Sequence, residues 1–167
     1  MLLNQFYPDE WVESVYTMSW ETLAGQGIEG VIFDIDNTLV PHGAPADERA
    51  LMLIGRLRGL GLRIFLLSNN KEPRVSAFAE QAGLPYLSKA GKPGRSGYLR
   101  AMETMGTDRN TTVFAGDQLF TDVYGAKRAG LYSILVKPLD PKEEIQIVLK
   151  RYLERIVLYF YQKKCGK

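Results

Sequence analysis

Four aspartates stand in two pairs: Asp34 and Asp36 within Asp34-Ile35-Asp36-Asn37-Thr38, and Asp117 and Asp122 just after Gly116. Each pair follows a short apolar run, Val31-Ile32-Phe33 in one case and Thr111 to Ala115 in the other. On an extended chain, positions 34 and 36 point to one face. Four carboxylates converging on one crevice would repel one another. A hard divalent cation relieves that repulsion, and Mg²⁺ typically takes one or two carboxylates together with phosphate oxygens. Lys92 offers a point charge for an anion, and Ser68 and nearby backbone N–H groups offer hydrogen bonds. These types allow phosphoryl transfer. Asp34 can serve as a nucleophile that forms an aspartyl-phosphate. Asp36 can act as general acid on the leaving oxygen and then as general base on water. Mg²⁺ and Lys92 would balance charge on the transferring group.

Composition removes the competing chemistries. The chain has 167 residues, one histidine and one cysteine. A structural zinc site needs about four Cys or His ligands, and one cysteine forms no disulfide within the chain. Cys165 stands third from the end, away from any phosphate-binding loop. With 21 basic and 19 acidic side chains, the net charge of +2 gives no nucleic-acid footprint. No leader with a basic start and a long apolar stretch opens the chain, and no apolar run approaches the roughly 20 residues of a membrane span. A reducing, cytoplasmic setting is expected.

These residues need a scaffold that brings loop ends together. Strands are predicted at 31–33, 63–67, 85–87, 111–115 and 132–136 from solid apolar runs of the kind buried on both faces of a parallel sheet. Helices are predicted at 47–60, with Leu51, Ile54, Leu57 and Leu60 as its stripe, and at 72–82, 95–105 and 121–129. Pro93 suits a first helical turn, Thr121 suits an N-cap, and Gly83 and Gly130 suit helix ends. Residues 6–25, with Trp11, Tyr16 and Trp20, read as one or two short helices closing an open side of the core. The alternation gives an α/β, doubly wound parallel sheet of Rossmann-like type, in which ligands bind beyond the carboxyl ends of the strands. A single domain, 1–167, is expected: an aromatic lead-in (1–28), a catalytic core (29–141) and a basic C-terminal amphipathic helix (142–167).

With the motifs in this order, residues 31–122 resemble the haloacid-dehalogenase-like (HAD) superfamily of phosphotransferases. Val31 to Thr38 is similar to its first motif, Ser68 to its second, Lys92 to its third, and Gly116-Asp117 with Asp122 to its fourth. The resemblance implies Asp34 as nucleophile and metal ligand. It implies Asp36 as acid/base that lends its backbone carbonyl to Mg²⁺, Asp117 as a ligand, and Asp122 as a ligand or the support of one. Thr38, Ser68, Asn69 and Lys92 would bind substrate. Aspartate at 36 favours a phosphatase over the P-type ATPases, which carry threonine there. The lead-in, Lys92-Pro93, Gly116-Asp117-Gln118-Leu119, Thr121-Asp122 and Leu135-Val136 extend the similarity to the YqeG-type branch of class IIIA HAD phosphatases, itself similar to phosphatidylglycerophosphate phosphatases. By that analogy the expected substrate is phosphatidylglycerophosphate, with a soluble phosphate monoester as the enzymatic alternative.

Several residues keep plainer readings beside these. Asp122 suits a helix first turn, Lys89 competes with Lys92, His42 reads as a loop histidine, and Asn69 and Asn70 suit a turn equally well. A receiver domain would share the acids and the lysine but bring the lysine from its last strand. A scaffold that kept the fold would not need Asp34. Only about eight residues follow Thr38 before the next helix, so no cap domain fits there, and an open, capless site is expected. Residues 142–167 hold seven basic and three acidic side chains. Ile145, Val148, Leu149, Tyr152, Leu153, Ile156 and Phe160 recur there at helical spacing. Either this stripe packs on the sheet, or the basic helix lies on an anionic membrane surface. The second reading would put the enzyme peripherally on the inner face of the membrane.

Overall fold

Six parallel strands form one sheet in the computed structural model, which describes residues 2–140 and 145–166. The strands are β1 (Glu10–Val12), β2 (Gly30–Phe33), β3 (Arg63–Leu67), β4 (Tyr86–Leu87), β5 (Thr112–Gly116) and β6 (Tyr132–Val136), in the order β1-β6-β5-β2-β3-β4. The central runs are apolar throughout because both faces are covered. Val31 and Phe33 pack on one side with Leu53, Ile54, Leu57 and Phe78, and Ile32 packs on the other with Tyr98, Met102 and Phe114. Helices α1 (Trp20–Gly25), α2 (Glu48–Gly59), α3 (Glu72–Ala82), α4 (Ser96–Met105), α5 (Tyr124–Ala129) and α6 (Ile145–Cys165) complete the chain. Asp47 caps α2, its Oδ1 accepting the Ala50 N–H at 2.7 Å, a contact worth about 1 kcal/mol. Gly83, Gly106 and Gly130 end α3, α4 and α5 in the left-handed region, where a side chain would be strained.

The chain runs outward from β2 through β3 to β4, then crosses back to place β5 on the other side of β2. The sheet therefore switches direction between β2 and β5, and open α/β sheets bind ligands at that crevice.

The lead-in differs from expectation. A short 3-10 turn (Leu2–Phe6) is followed by β1, a sixth strand that pairs with β6 through Glu10–Ile134, Trp11–Leu135 and Val12–Val136. Three residues give too short a period to be seen in sequence. Only α1 matches the helices expected there, with Trp20 fully buried and its Nε1–H donating to Val15 O at 2.8 Å. In α2 the buried stripe is Ala50, Leu53, Ile54 and Leu57, while Leu51 is exposed. Pro93 precedes α4 by three residues instead of sitting in its first turn. Thr121 lies inside a single π-helical turn (Leu119–Val123) that leads into α5, so it caps nothing. The expected start of the C-terminal helix at 142 lies outside the described residues, as does Lys167.

The larger difference concerns α6. Its inner face carries Arg151, Glu154, Val157, Leu158 and Tyr161, and Val157 joins Tyr7, Leu119, Val123 and Leu135 in a small core of its own. Val148, Leu149, Tyr152, Leu153, Ile156 and Phe160, the stripe that would have packed on the sheet, are exposed instead.

Candidate active site

The β2 end delivers Asp34, whose N–H donates to Ala115 O at 3.0 Å and so ties it to β5. The next residues form a tight turn in which Asn37 holds φ at 62°. The β3 end delivers Ser68, the β5 end Asp117, and the π-helical turn Asp122. All are buried, as are Thr38 and Lys92. Lys92 Nζ donates to Asp34 Oδ1 at 2.7 Å and to Asp122 Oδ1 at 2.6 Å, bridging the two sides of the crevice. Asp34, Asp117 and Asp122 each offer an oxygen within 4.8 Å of the others. Thr38 Oγ1 donates to Asp117 Oδ1 at 3.5 Å, a long contact.

Gly116 makes the approach of Asp122 possible. A Cβ there would stand 2.5 Å from Asp122 Oδ2. That same oxygen accepts the Gln118 N–H at 3.0 Å. Tyr98 holds the π-helical turn from below, its hydroxyl donating to Thr121 O and Asp122 O at 3.1 and 3.2 Å.

The electrostatics follow from crowding acids out of water. Burial pushes the Asp34 carboxyl up, with Asp122 and Asp36 adding to the push and Lys92 opposing it. Burial likewise raises Asp117 well above the usual range, Asp34 and Asp122 reinforcing it while Arg151 opposes. Burial would discharge Lys92, but Asp122 and Asp34 outweigh it and hold the ammonium firmly charged. Three carboxylates facing two cations leave excess negative charge, which is the condition that draws in a divalent cation.

Asp36 has a different setting. Its Oδ1 accepts Gly43 N–H at 2.8 Å and Arg74 Nη2 at 2.9 Å, and its Oδ2 accepts Asn70 Nδ2 at 3.1 Å. Burial raises its pKa, yet these bonds outweigh it and hold the carboxyl below the usual range. Asp36 therefore stands beside the three-carboxylate group without joining it. Asn69 uses both ends of its amide on Lys92, Nδ2 donating to Lys92 O at 3.0 Å and Oδ1 accepting Lys92 N–H at 2.8 Å. Ser68 Oγ accepts the Asn70 N–H at 3.1 Å. Lys89 and His42 are exposed, which leaves the buried position to Lys92.

Sequence reasoning missed two arginines and one glutamate. Arg74, in the first turn of α3, is the partner of Asp36. Arg151, on α6, pairs with Asp117 Oδ2 and donates to Asp117 O at 2.5 Å. Glu154 accepts from Arg151 Nη1 at 3.0 Å and from the Leu119 N–H at 2.8 Å. The available signal was Glu154 itself, the one carboxylate between residues 145 and 165 of a basic helix.

The Bacillus subtilis (strain 168) protein named "Probable phosphatase YqeG" is 35% identical over 165 residues, covering 98% of this chain and 96% of its own length. The chain belongs to the YqeG-type branch of the HAD phosphatases. A family model described as HAD-hydrolase-like matches residues 89–138, the stretch that carries Lys92, Asp117 and Asp122. The chloroplastic phosphatidylglycerophosphate phosphatase 1 of Chlamydomonas reinhardtii is 30% identical over 148 residues, covering 82% of this chain and 55% of that protein. A hydrolase of HAD subfamily III A from Legionella pneumophila shares the fold, with a TM-score of 0.54 at 18% identity over 72% of this chain and 73% of that one. This YqeG-type chain has the small, capless form of the fold, since residues 39–47 alone connect Thr38 to α2. One side of its crevice is nevertheless bounded by its own α6, through Arg151 and Glu154.

Proposed function

We propose that this phosphatase hydrolyses a phosphate monoester with Mg²⁺, through a phosphate bonded to Asp34, and that its substrate is phosphatidylglycerophosphate. The observation that carries the catalytic reading is Lys92 bridging Asp34 and Asp122 inside a buried three-carboxylate group at the switch point of the sheet. Buried acids in this number, short of matching cations, fit a hard divalent ion held by Asp34, Asp117 and Asp122. When bound, that ion supplies positive charge that offsets the charge of the transferring phosphoryl group.

The chain's own residues do the rest. An Asp34 oxygen attacks phosphorus, the phosphorus–ester oxygen bond breaks, and the leaving alcohol takes a proton from Asp36. Water then attacks the phosphorus of the aspartyl-phosphate, Asp36 receives the water's proton, and inorganic phosphate leaves with Asp34 restored. Arg74, Asn70 and the Gly43 N–H favour the ionised form of Asp36, which receives the water's proton in the second step. They oppose the protonated form that the first step draws on, so these partners must loosen when substrate enters. Lys92 keeps its proton throughout and steadies charge on the phosphoryl oxygens. Asn69 acts as a positioning residue for Lys92, and Thr38 and Ser68 hydrogen-bond the phosphate.

The lipid substrate is supported by similarity to the Chlamydomonas enzyme and by a capless crevice that admits a large leaving group. A phosphate-release screen with Mg²⁺ tests it, comparing phosphatidylglycerophosphate in mixed micelles with soluble monoesters and using Asp34→Asn as blank. A higher kcat/KM on the lipid is expected. Soluble esters preferred by a wide margin would assign a soluble substrate instead.

A further inference from the structure

The solvent side of α6 is more apolar than the side that packs on the protein. Leu149, Tyr152, Leu153, Ile156, Tyr159 and Phe160 are each about half exposed or more, Leu149 and Tyr152 reaching 69% and 67%. A water-facing helix ordinarily shows the reverse arrangement, and a contiguous exposed apolar stripe marks a surface that something covers. The polar residues exposed on the same helix are Lys150, Arg155, Gln162, Lys163 and Lys164. No carboxylate accompanies them, because Glu154 is buried against the Leu119 N–H and Arg151.

We propose that α6 is an interfacial helix that docks the enzyme on an anionic phospholipid surface through this face. The proposal deepens the lipid-substrate reading and rests on it for its biological sense, although the docking can be measured apart from turnover. Charge decides the occupant. A second copy of the chain in a two-fold contact would set lysines and arginine against their own equivalents, with no exposed acid among the described residues of α6 to pair them. An anionic bilayer meets the same residues with opposite charge while taking up the apolar side chains. The tyrosines suit the headgroup level, where an apolar ring and a polar tip are both accommodated; the Tyr159 and Phe160 rings already stand edge to face at 5.6 Å. Among the described residues no helix is long and apolar enough to cross a membrane, so α6 would lie along the surface.

Docking in this orientation also bears on the surroundings of Asp117. A cleft of about 660 Å³ runs between α6 and the ends of β1 and β6, with Asp117 and Arg151 in its lining. Val148, Tyr152 and Arg155 belong both to that cleft and to the exposed side of α6. The docked face of α6 therefore borders a cleft that reaches Asp117, with Arg151, Arg155 and Lys137 as its cations.

Flotation of the full chain with vesicles tests the proposal, comparing phosphatidylglycerol–phosphatidylcholine mixtures with phosphatidylcholine alone. Two variants accompany the wild type: Leu149→Gln with Ile156→Gln and Phe160→Gln, and Lys150→Glu with Lys163→Glu. All five positions are exposed and outside the catalytic group, so hydrolysis of p-nitrophenyl phosphate and the thermal midpoint should match the wild type. The expected result is binding of the wild type to the anionic vesicles and a fall of roughly tenfold or more in partitioning for each variant. Equal flotation of wild type and variants would overturn the proposal. So would a wild-type dimer in solution that the glutamine variant dissociates, with no vesicle binding. Loss of turnover on lipid with vesicle binding intact would count against the substrate reading alone.

Discussion

Replacing Gly116 by alanine tests the fitted geometry of the catalytic crevice with a single methyl group. The added Cβ would stand 2.5 Å from Asp122 Oδ2, 2.6 Å from its Cγ and 2.7 Å from its Cβ, where ordinary contact begins at 3.4 Å. The Asp122 side chain must therefore move by about 0.9 Å to clear it. Its Oδ1 now accepts from Lys92 at 2.6 Å, and a displacement of that size takes the pair to about 3.5 Å, beyond charge-assisted bonding. Misplacement on this scale costs about 10²-fold in rate, and overpacking a filled site costs about 1–3 kcal/mol. For a chain of this length that corresponds to a fall of roughly 3–9 °C in Tm. The assay is kcat/KM for p-nitrophenyl phosphate with Mg²⁺, alongside thermal unfolding. Gly55→Ala is the control, since its Cβ meets nothing within 4 Å in α2 and should leave activity unchanged while stabilising the helix by about 0.5–1 kcal/mol. Activity of Gly116→Ala within about threefold of wild type, with Tm unchanged, would refute the claim that positioning here follows from packing at the tenth-of-an-ångström level.

Two further outcomes follow from charges. Arg151→Met leaves Asp117 buried without its guanidinium, so in EDTA the variant should be less stable by about 3 kcal/mol; adding Mg²⁺ should restore most of the loss, and an identical deficit with and without Mg²⁺ in denaturant titrations would contradict the shared role. Asp9, in the lead-in, accepts from Ser133 N–H and Oγ at 2.8 Å and from Lys127 at 3.0 Å. Burial raises its carboxyl, but these partners outweigh it and hold the pKa below the usual value. A lowered folded pKa means the stability is fully present above the unfolded value of about 3.9 and is lost as pH falls through the folded one. Asp9→Asn should therefore cost about 1–3 kcal/mol near neutrality, the gap to wild type narrowing toward pH 3 in urea unfolding; a constant gap would refute the assignment.

The carboxylates that the structure gathers at the sheet's switch point were legible in the sequence because strand-end acids announce themselves where an apolar run stops, as at Phe33-Asp34 and Gly116-Asp117. What separates Lys92 from Lys89 is visible only in three dimensions, where Lys92 is buried against Asp34 and Asp122 and held by the amide of Asn69. Asn69 suited a substrate contact and a turn equally in the sequence; the structure adds that its amide holds the Lys92 backbone. Nothing local in a sequence distinguishes an amide that faces a ligand from one that clamps a backbone. β1 escaped notice because three residues have no measurable period and take their conformation from β6. α6 is more instructive, because the sequence left two placements of its apolar stripe open. Periodicity locates an apolar stripe without saying which side the protein occupies, and here the protein takes the side of Arg151, Glu154 and Val157.

The proposed mechanism stands or falls on a phosphate carried by Asp34. Rapid mixing of the enzyme with Mg²⁺ and radiolabelled phosphate ester, acid quenching within a turnover, and peptide mass spectrometry measure this directly. A label is expected on the peptide containing Asp34 that forms and decays fast enough to lie on the path, is released by hydroxylamine, and is absent from Asp34→Asn. Phosphate released at the wild-type rate with no labelled protein, or with the label on another residue, would contradict it.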